Sequence, residues 1–155
     1  MSQATPTGTR DVLPEEMAEL RAIEATVAQV FAERGYGEVA TPIIEYSDVL
    51  DRADRGAPAL RFFDERGDAL AMRSDMTVPI ARMAATRLAE RDGPFRFRYQ
   101  GSAFRPIDAP GGQAREFRQV GIELIGAEPP DGTIEVIELL VGALAALGLD
   151  DAVIG

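Results

Sequence analysis

Two alternating segments, Phe95 to Arg105 and Glu116 to Gly126, carry the side chains best suited to chemistry. Successive side chains of a strand point to opposite faces. Tyr99, Gly101, Ala103 and Arg105 therefore share one face of the first segment, and Gln119, Gly121 and Glu123 share one face of the second. Val120, Ile122 and Leu124 take the other parity and form the core side. Glu123 can hold an ammonium group through a charge-assisted bond, and Arg105 can hold a carboxylate or phosphate bidentately. Gln119 can both donate and accept. Asp75 and Thr77, where a strand passes into a helix, add an acidic and a hydroxyl contact at a helix N-terminus. Gly101, Ala103 and Gly121 are small enough to leave room above the sheet. An α-amino acid, free or as an acyl-phosphate, fits this mixture of charges.

Each residue taken singly has a plainer explanation. Polar strand residues commonly line a solvated face, Asp75 can simply cap a helix, and the glycines can mark bulges. Met72, Met76 and Met83 are most simply core fillers. The joint pattern rests on the parity agreement of both segments and on the loop between them. That loop, Pro106 to Arg115, contains Pro106, Pro110, Gly111 and Gly112, and long loops inside compact domains are often functional.

Composition narrows the chemistry further. The chain has 155 residues with no cysteine and no histidine. Disulfides and thiol chemistry are excluded, as are a zinc site and a Ser–His–Asp triad built from this chain alone. A formal net charge of -10 opposes a nucleic-acid surface, which needs clustered cations. No run approaches the about 18 apolar residues that cross a bilayer, and Met1 to Thr9 has neither the basic nor the apolar region of a signal peptide.

The elements that must position these residues follow from periodicity and punctuation. Pro14 to about Arg34 reads as a helix, with Pro14, Glu15 and Glu16 suited to its start and Gly35 to its stop. Leu20, Ile23, Val27, Val30 and Phe31 form its apolar stripe. Glu38 to Ile44 reads as a strand interrupted by Pro42, which places it at an edge, a bulge or a subunit boundary. Asp48 to Pro58 is polar, a short helix or a loop. Leu60 to Phe63 and Ala69 to Met72 form a hairpin around residues 64–68. A helix then runs to about Glu90 with Asp75 or Thr77 as N-cap. The last helix, about Gly132 to Leu147, is expected to bury Ile134, Ile137, Leu140, Val141 and Leu144. The order reads as an antiparallel α+β domain. Ala152-Val153-Ile154 reads as the opening of another strand, so the sequence is expected to be part of a longer one.

At these residues the chain resembles the histidyl-tRNA-synthetase-like class II family over nearly its whole length. Gly8-Thr9-Arg10-Asp11-Val12-Leu13-Pro14 resembles the family's N-terminal signature. Arg34 to Glu45, with its Gly35-Tyr36-Gly37 turn and Thr41-Pro42, is similar to class II motif 1, and Phe104-Arg105 through Gly126 to motif 2. The resemblance implies a mixed, mainly antiparallel sheet flanked by helices, truncated so that residues 1–155 carry motifs 1 and 2 without motif 3 or a C-terminal domain. It also implies a homodimer through the motif 1 region and a cytoplasmic protein. Asp75, Thr77, Arg105, Gln119 and Glu123 match positions that contact histidine or its adenylate, and Arg115 matches a phosphate contact.

Two readings compete within the family. A true synthetase uses ATP and Mg to activate histidine and charges tRNA. The other is the regulatory subunit of ATP phosphoribosyltransferase in histidine biosynthesis, a paralogue without aminoacylation or cofactor that works with a catalytic subunit. Synthetases typically carry Arg-Pro-Glu-Gly-Thr where this chain has Arg73-Ser74-Asp75-Met76-Thr77, and the Asp-Met-Thr form is similar to the regulatory subunit. Asp108, Gly111 and Gln113 stand where the synthetase loop is cationic, while Arg105 and Arg115 remain. Losing those cations weakens a clamp for phosphoryl chemistry, so no catalytic residue is assigned and the regulatory reading, with histidine as ligand, is preferred. A free-standing paralogue that binds an amino acid or mediates dimerisation is the third reading.

Overall fold

The computed structural model describes residues 4–53, 58–107 and 114–153. Asp108, Pro110, Gly111, Gly112, Gln113 and Ile154 lie outside them, as do residues 54–57 of the polar segment. The elements in chain order are α1 (Pro14–Glu33), β1 (Gly37–Glu38), β2 (Ile44–Tyr46), α2 (Ser47–Ala53), β3 (Arg61–Phe63), β4 (Ala69–Met72), α3 (Thr77–Arg87), β5 (Phe95–Phe104), β6 (Glu116–Ile125) and α4 (Asp131–Ala146). The expected α+β class holds. The strands form two three-stranded sheets, β1-β5-β6 and β2-β4-β3: the first is mixed, with β1 parallel to β5, and the second is antiparallel, with β2 and β3 flanking β4.

The single strand expected from Glu38 to Ile44 is instead two short ones, β1 and β2, in different sheets. Pro42 lies in the gap, where a residue without an N–H cannot extend a ladder. Backbone contacts divide the chain into two compact units, and β5 and β6 run through both. One unit takes Met1–Asp11, Thr41–Glu90 and Gly101–Gln119, and the other Val12–Ala40, Arg91–Gln100 and Val120–Gly155.

The first unit holds the β2-β4-β3 sheet with α2 and α3. Its hairpin is closed by Asp64, whose Oδ1 accepts from Arg66 N at 2.9 Å and Asp68 N at 2.8 Å. That side chain adds to the turn's backbone bonds, Gly67 N to Asp64 O and Asp64 N to Asp68 O, both at 3.1 Å, as an Asx residue can. Behind β2 the buried Glu45 pairs with Arg82 of α3, so its charge is not left without a partner.

The second unit has its core between two helices and a sheet face. Val27, Phe31, Tyr36, Leu139 and Ala143 form the buried cluster, with Val120, Ile122 and Leu124 packed against it. The core parity expected for β6 is thus observed. The C-terminus of α1 closes with Gly35 at φ +84°. Gly35 N donates to Ala32 O at 3.0 Å and Tyr36 N to Phe31 O at 3.1 Å. This is a Schellman motif, and its usual apolar contact is supplied by Phe31 and Tyr36 of the core.

On α4 the expected buried stripe is displaced. Ile134, Ile137, Leu140 and Val141 are 44–50% exposed, and Leu139 and Ala143 face the core instead. Periodicity could not choose, because α4 is apolar on several faces. The choice is made by Glu135, one turn before Leu139. It accepts from Arg96 Nε and Nη2, both at 2.7 Å, and from Tyr36 Oη at 2.7 Å. The Arg96 bonds, followed by the Tyr36 bond, hold its carboxyl down to about 2. Burial, and then the bond to Glu135, push the Tyr36 phenol up.

Candidate ligand site on the strand hairpin

In the first unit, β4 ends at Met72 and the chain crosses to α3 through Arg73, Ser74, Asp75 and Met76. Arg73 fixes the crossing. Its N–H donates to Ile43 O and its carbonyl accepts from Phe104 N, both at 2.9 Å. Its guanidinium is buried, with Nε donating to Ser102 O at 2.8 Å and Nη1 to Thr41 O at 2.8 Å and Pro42 O at 3.4 Å. No carboxylate pairs with it among the described residues, and burial pushes its pKa down. One planar donor fork thus joins the residues around Pro42 to β5, which a lysine could not reproduce.

Asp75 serves the helix that follows. Its Oδ1 accepts from Val78 N at 3.1 Å, and its Oδ2 accepts from Ser74 Oγ at 3.2 Å. It therefore caps α3 from the residue before Met76, and each oxygen keeps lone-pair capacity for a further donor. Thr77 is the first residue of α3 and is exposed.

The hairpin supplies the next part. Arg105 N donates to Arg115 O at 2.9 Å, and at the other end a Cβ on Gly126 would lie 3.9 Å from Pro94 Cα. The strands therefore run antiparallel, with matching parities on one face. Arg105 is exposed, and its Cζ lies 3.9 Å from the centroid of the Phe117 ring. Gln119 is half-buried, and its Oε1 is buried with no hydrogen-bond partner among the described residues. An acceptor left in that state costs about 1–3 kcal/mol unless a donor arrives. Arg115 is tied to the N-terminal segment: its Nε donates to Thr7 O at 3.1 Å and its backbone N–H to Gly8 O at 2.7 Å. Gly8 sits at φ +78°, where a Cβ would meet Ile107 Cδ1 at 2.9 Å. The N-terminal signature is thus a close backbone approach to this hairpin.

The space expected above the glycines is filled by the chain's own side chains. A Cβ on Gly101 would lie 2.7 Å from Arg73 Nη2, and in the second unit one on Gly121 would lie 2.5 Å from the Tyr99 hydroxyl. Ala103 is fully buried. The glycines admit a guanidinium and a phenol rather than holding open room.

Asp75, Thr77, Arg105, Arg115 and Gln119 belong to the first unit and Glu123 to the second, where it is half-buried on β6. Sequence reasoning missed Arg73 and Phe117 as parts of this neighbourhood. Parity gives Phe117, two residues before Gln119, but no local signal places Arg73 beneath Gly101. Among the described residues no group of three His, Cys, Asp or Glu is placed to hold a metal ion.

The chain matches the model of the histidyl-tRNA synthetase family over residues 8–155. It is 39% identical over 150 residues to the ATP phosphoribosyltransferase regulatory subunit of Acetivibrio thermocellus, covering 95% of this chain and 36% of the relative. The regulatory subunit of Moorella thermoacetica is 41% identical over 156 residues, covering 97% and 39%. Among solved structures, an ATP phosphoribosyltransferase regulatory subunit/histidyl-tRNA synthetase from Bacillus halodurans superposes with a TM-score of 0.86 at 34% identity, covering 96% of this chain and 39% of that one. The apo histidyl-tRNA synthetase of S. aureus superposes at 0.81 with 28% identity, covering 96% and 35%. The chain spans less than half the length of the curated relatives that it matches. The match over residues 8–155 places this chain in the histidyl-tRNA synthetase family.

Proposed function

We propose that this chain is the N-terminal part of a regulatory subunit of ATP phosphoribosyltransferase, which binds histidine and passes that signal to a catalytic subunit. The observation that carries the reading is the name shared by relatives 39% and 41% identical over 95–97% of this chain. The regulatory role needs no cofactor and is allosteric, a coupling between two binding events. Homodimerisation through the motif 1 residues 34–45 and a cytoplasmic location belong to the same proposal. Among the described residues no helix is long and apolar enough to cross a membrane.

The proposed histidine contacts in the first unit are Asp75, Thr77, Arg105 and Gln119, and Glu123 is proposed as a contact from the family resemblance alone. Arg105 takes the carboxylate, Asp75 takes the ammonium, and Gln119 accepts from the ligand through its Oε1, which has no partner among the described residues. Calorimetric titration with a panel of amino acids tests this. Histidine alone should bind, and a pull-down should retain the catalytic subunit. Equal, weak heats for all amino acids would sink the ligand assignment.

The synthetase reading keeps one specific support, the superposition on the S. aureus synthetase. It requires ATP, Mg and tRNA, and it predicts histidine-dependent ATP–pyrophosphate exchange. Binding of histidine without either exchange or capture of the catalytic subunit would favour a free-standing amino-acid-binding paralogue.

A further inference from the structure

Arg105 and Phe117 stand on opposite strands of the hairpin, with the Arg105 Cζ 3.9 Å from the ring centroid. The bond from Arg105 N to Arg115 O sets the register, and Phe117 lies one same-face step beyond Arg115. The N–H donors of a guanidinium lie in its plane. Covering its flat face with a ring restrains the group without consuming any donor. No carboxylate pairs with Arg105 among the described residues, so its donor edge is not committed to one there. An exposed arginine otherwise samples many rotamers, and a ligand that captures it must remove that freedom.

We propose that Phe117 is a positioning residue: its ring holds the Arg105 guanidinium flat, with the donor edge presented to the anionic group of the ligand. This rests on the amino-acid-binding reading of the site. Phe117 touches no ligand atom in this role and acts only through Arg105.

The test uses the 155-residue chain, its Phe117→Leu variant, which keeps apolar bulk but loses the π face, and its Phe117→Tyr variant, which keeps both. Arg105→Lys identifies the Arg105 Nε–Hε resonance by its disappearance. That resonance should be shifted upfield by the ring in wild type and in Phe117→Tyr, and should lie at an ordinary position in Phe117→Leu. Titration with L-histidine should weaken about two- to fivefold in Phe117→Leu, the range expected for an exposed cation–π contact, and recover in Phe117→Tyr. Histidine binding unchanged in Phe117→Leu but weakened in Arg105→Lys would overturn the proposal while leaving the histidine reading intact. If wild type binds no histidine, that reading fails, and the resonance decides the positioning role. A shift present in wild type and absent in Phe117→Leu would support it, and an unshifted resonance in wild type would overturn it.

Discussion

Arg73 holds carbonyl oxygens from Thr41, Pro42 and Ser102 with one guanidinium, and shortening that fork strands buried acceptors. Arg73→Lys should lower the unfolding free energy by about 2–3 kcal/mol, from at least one unpaired carbonyl and the loss of bidentate geometry. Urea denaturation measures it, and a loss under about 0.5 kcal/mol would show that the carbonyls find water instead. Gln119 should behave in the opposite way. Its Oε1 is buried without a partner among the described residues, so Gln119→Leu removes a polar atom that none of them satisfies. Stability should hold or rise by about 1 kcal/mol while histidine binding falls, the trade expected where a site is kept for a ligand. Parallel melting and calorimetry check both halves. The two residues also differ in how far sequence reveals them. Gln119 follows from strand parity alone, whereas Arg73 reaches Gly101 through tertiary packing that no local pattern encodes.

At the scale of elements, α4 is held to its face by a polar contact as much as by its core side chains. Glu135 has its carboxyl held at about 2 by Arg96 first and then Tyr36, against an ordinary 4.5. A depressed acid contributes stability that is present in full above the unfolded value and is lost as pH falls through the folded one. The contribution should therefore fade between about pH 4.5 and pH 2. Thermal melts across that window should show wild type more stable than Glu135→Gln at pH 6, with the two converging toward pH 2. A constant gap would mean that the Glu135 carboxyl titrates alike in the folded and unfolded states. Helix ends were plain in the sequence because glycine marks them: Gly35 and Gly148 sit at φ +84° and +74°. At the second end Gly148 N donates to Ala145 O at 2.9 Å and Leu149 N to Leu144 O at 3.0 Å, repeating the first closure. The helix face was less plain. Ile134, Ile137, Leu140 and Val141 repeat at helical spacing as well as Leu139 and Ala143 do, and the partners of Glu135 together with the core cluster select between them.

For the molecule as a whole, that selection leaves one side of α4 apolar and solvent-facing, with Ile137 at 46% and Val141 at 50% exposure. A helix apolar on several faces is usually covered on more than one side, and contiguous exposed apolar surface promotes association. If the face is open in this chain, charges placed on it should cost little. Ile137→Glu combined with Val141→Glu should change the unfolding free energy by less than about 0.5 kcal/mol, as surface substitutions do. The same pair should reduce binding of an apolar fluorescent dye and any concentration-dependent self-association, read by light scattering. The outcome is diagnostic in both directions, because buried side chains of this size are worth about 1.5–3 kcal/mol each. A loss of several kcal/mol in the double variant would mean that the face is packed in solution and that the chain associates through it. Loss of dye binding without loss of stability would instead leave Leu139 and Ala143 as the only face of α4 on which this fold depends.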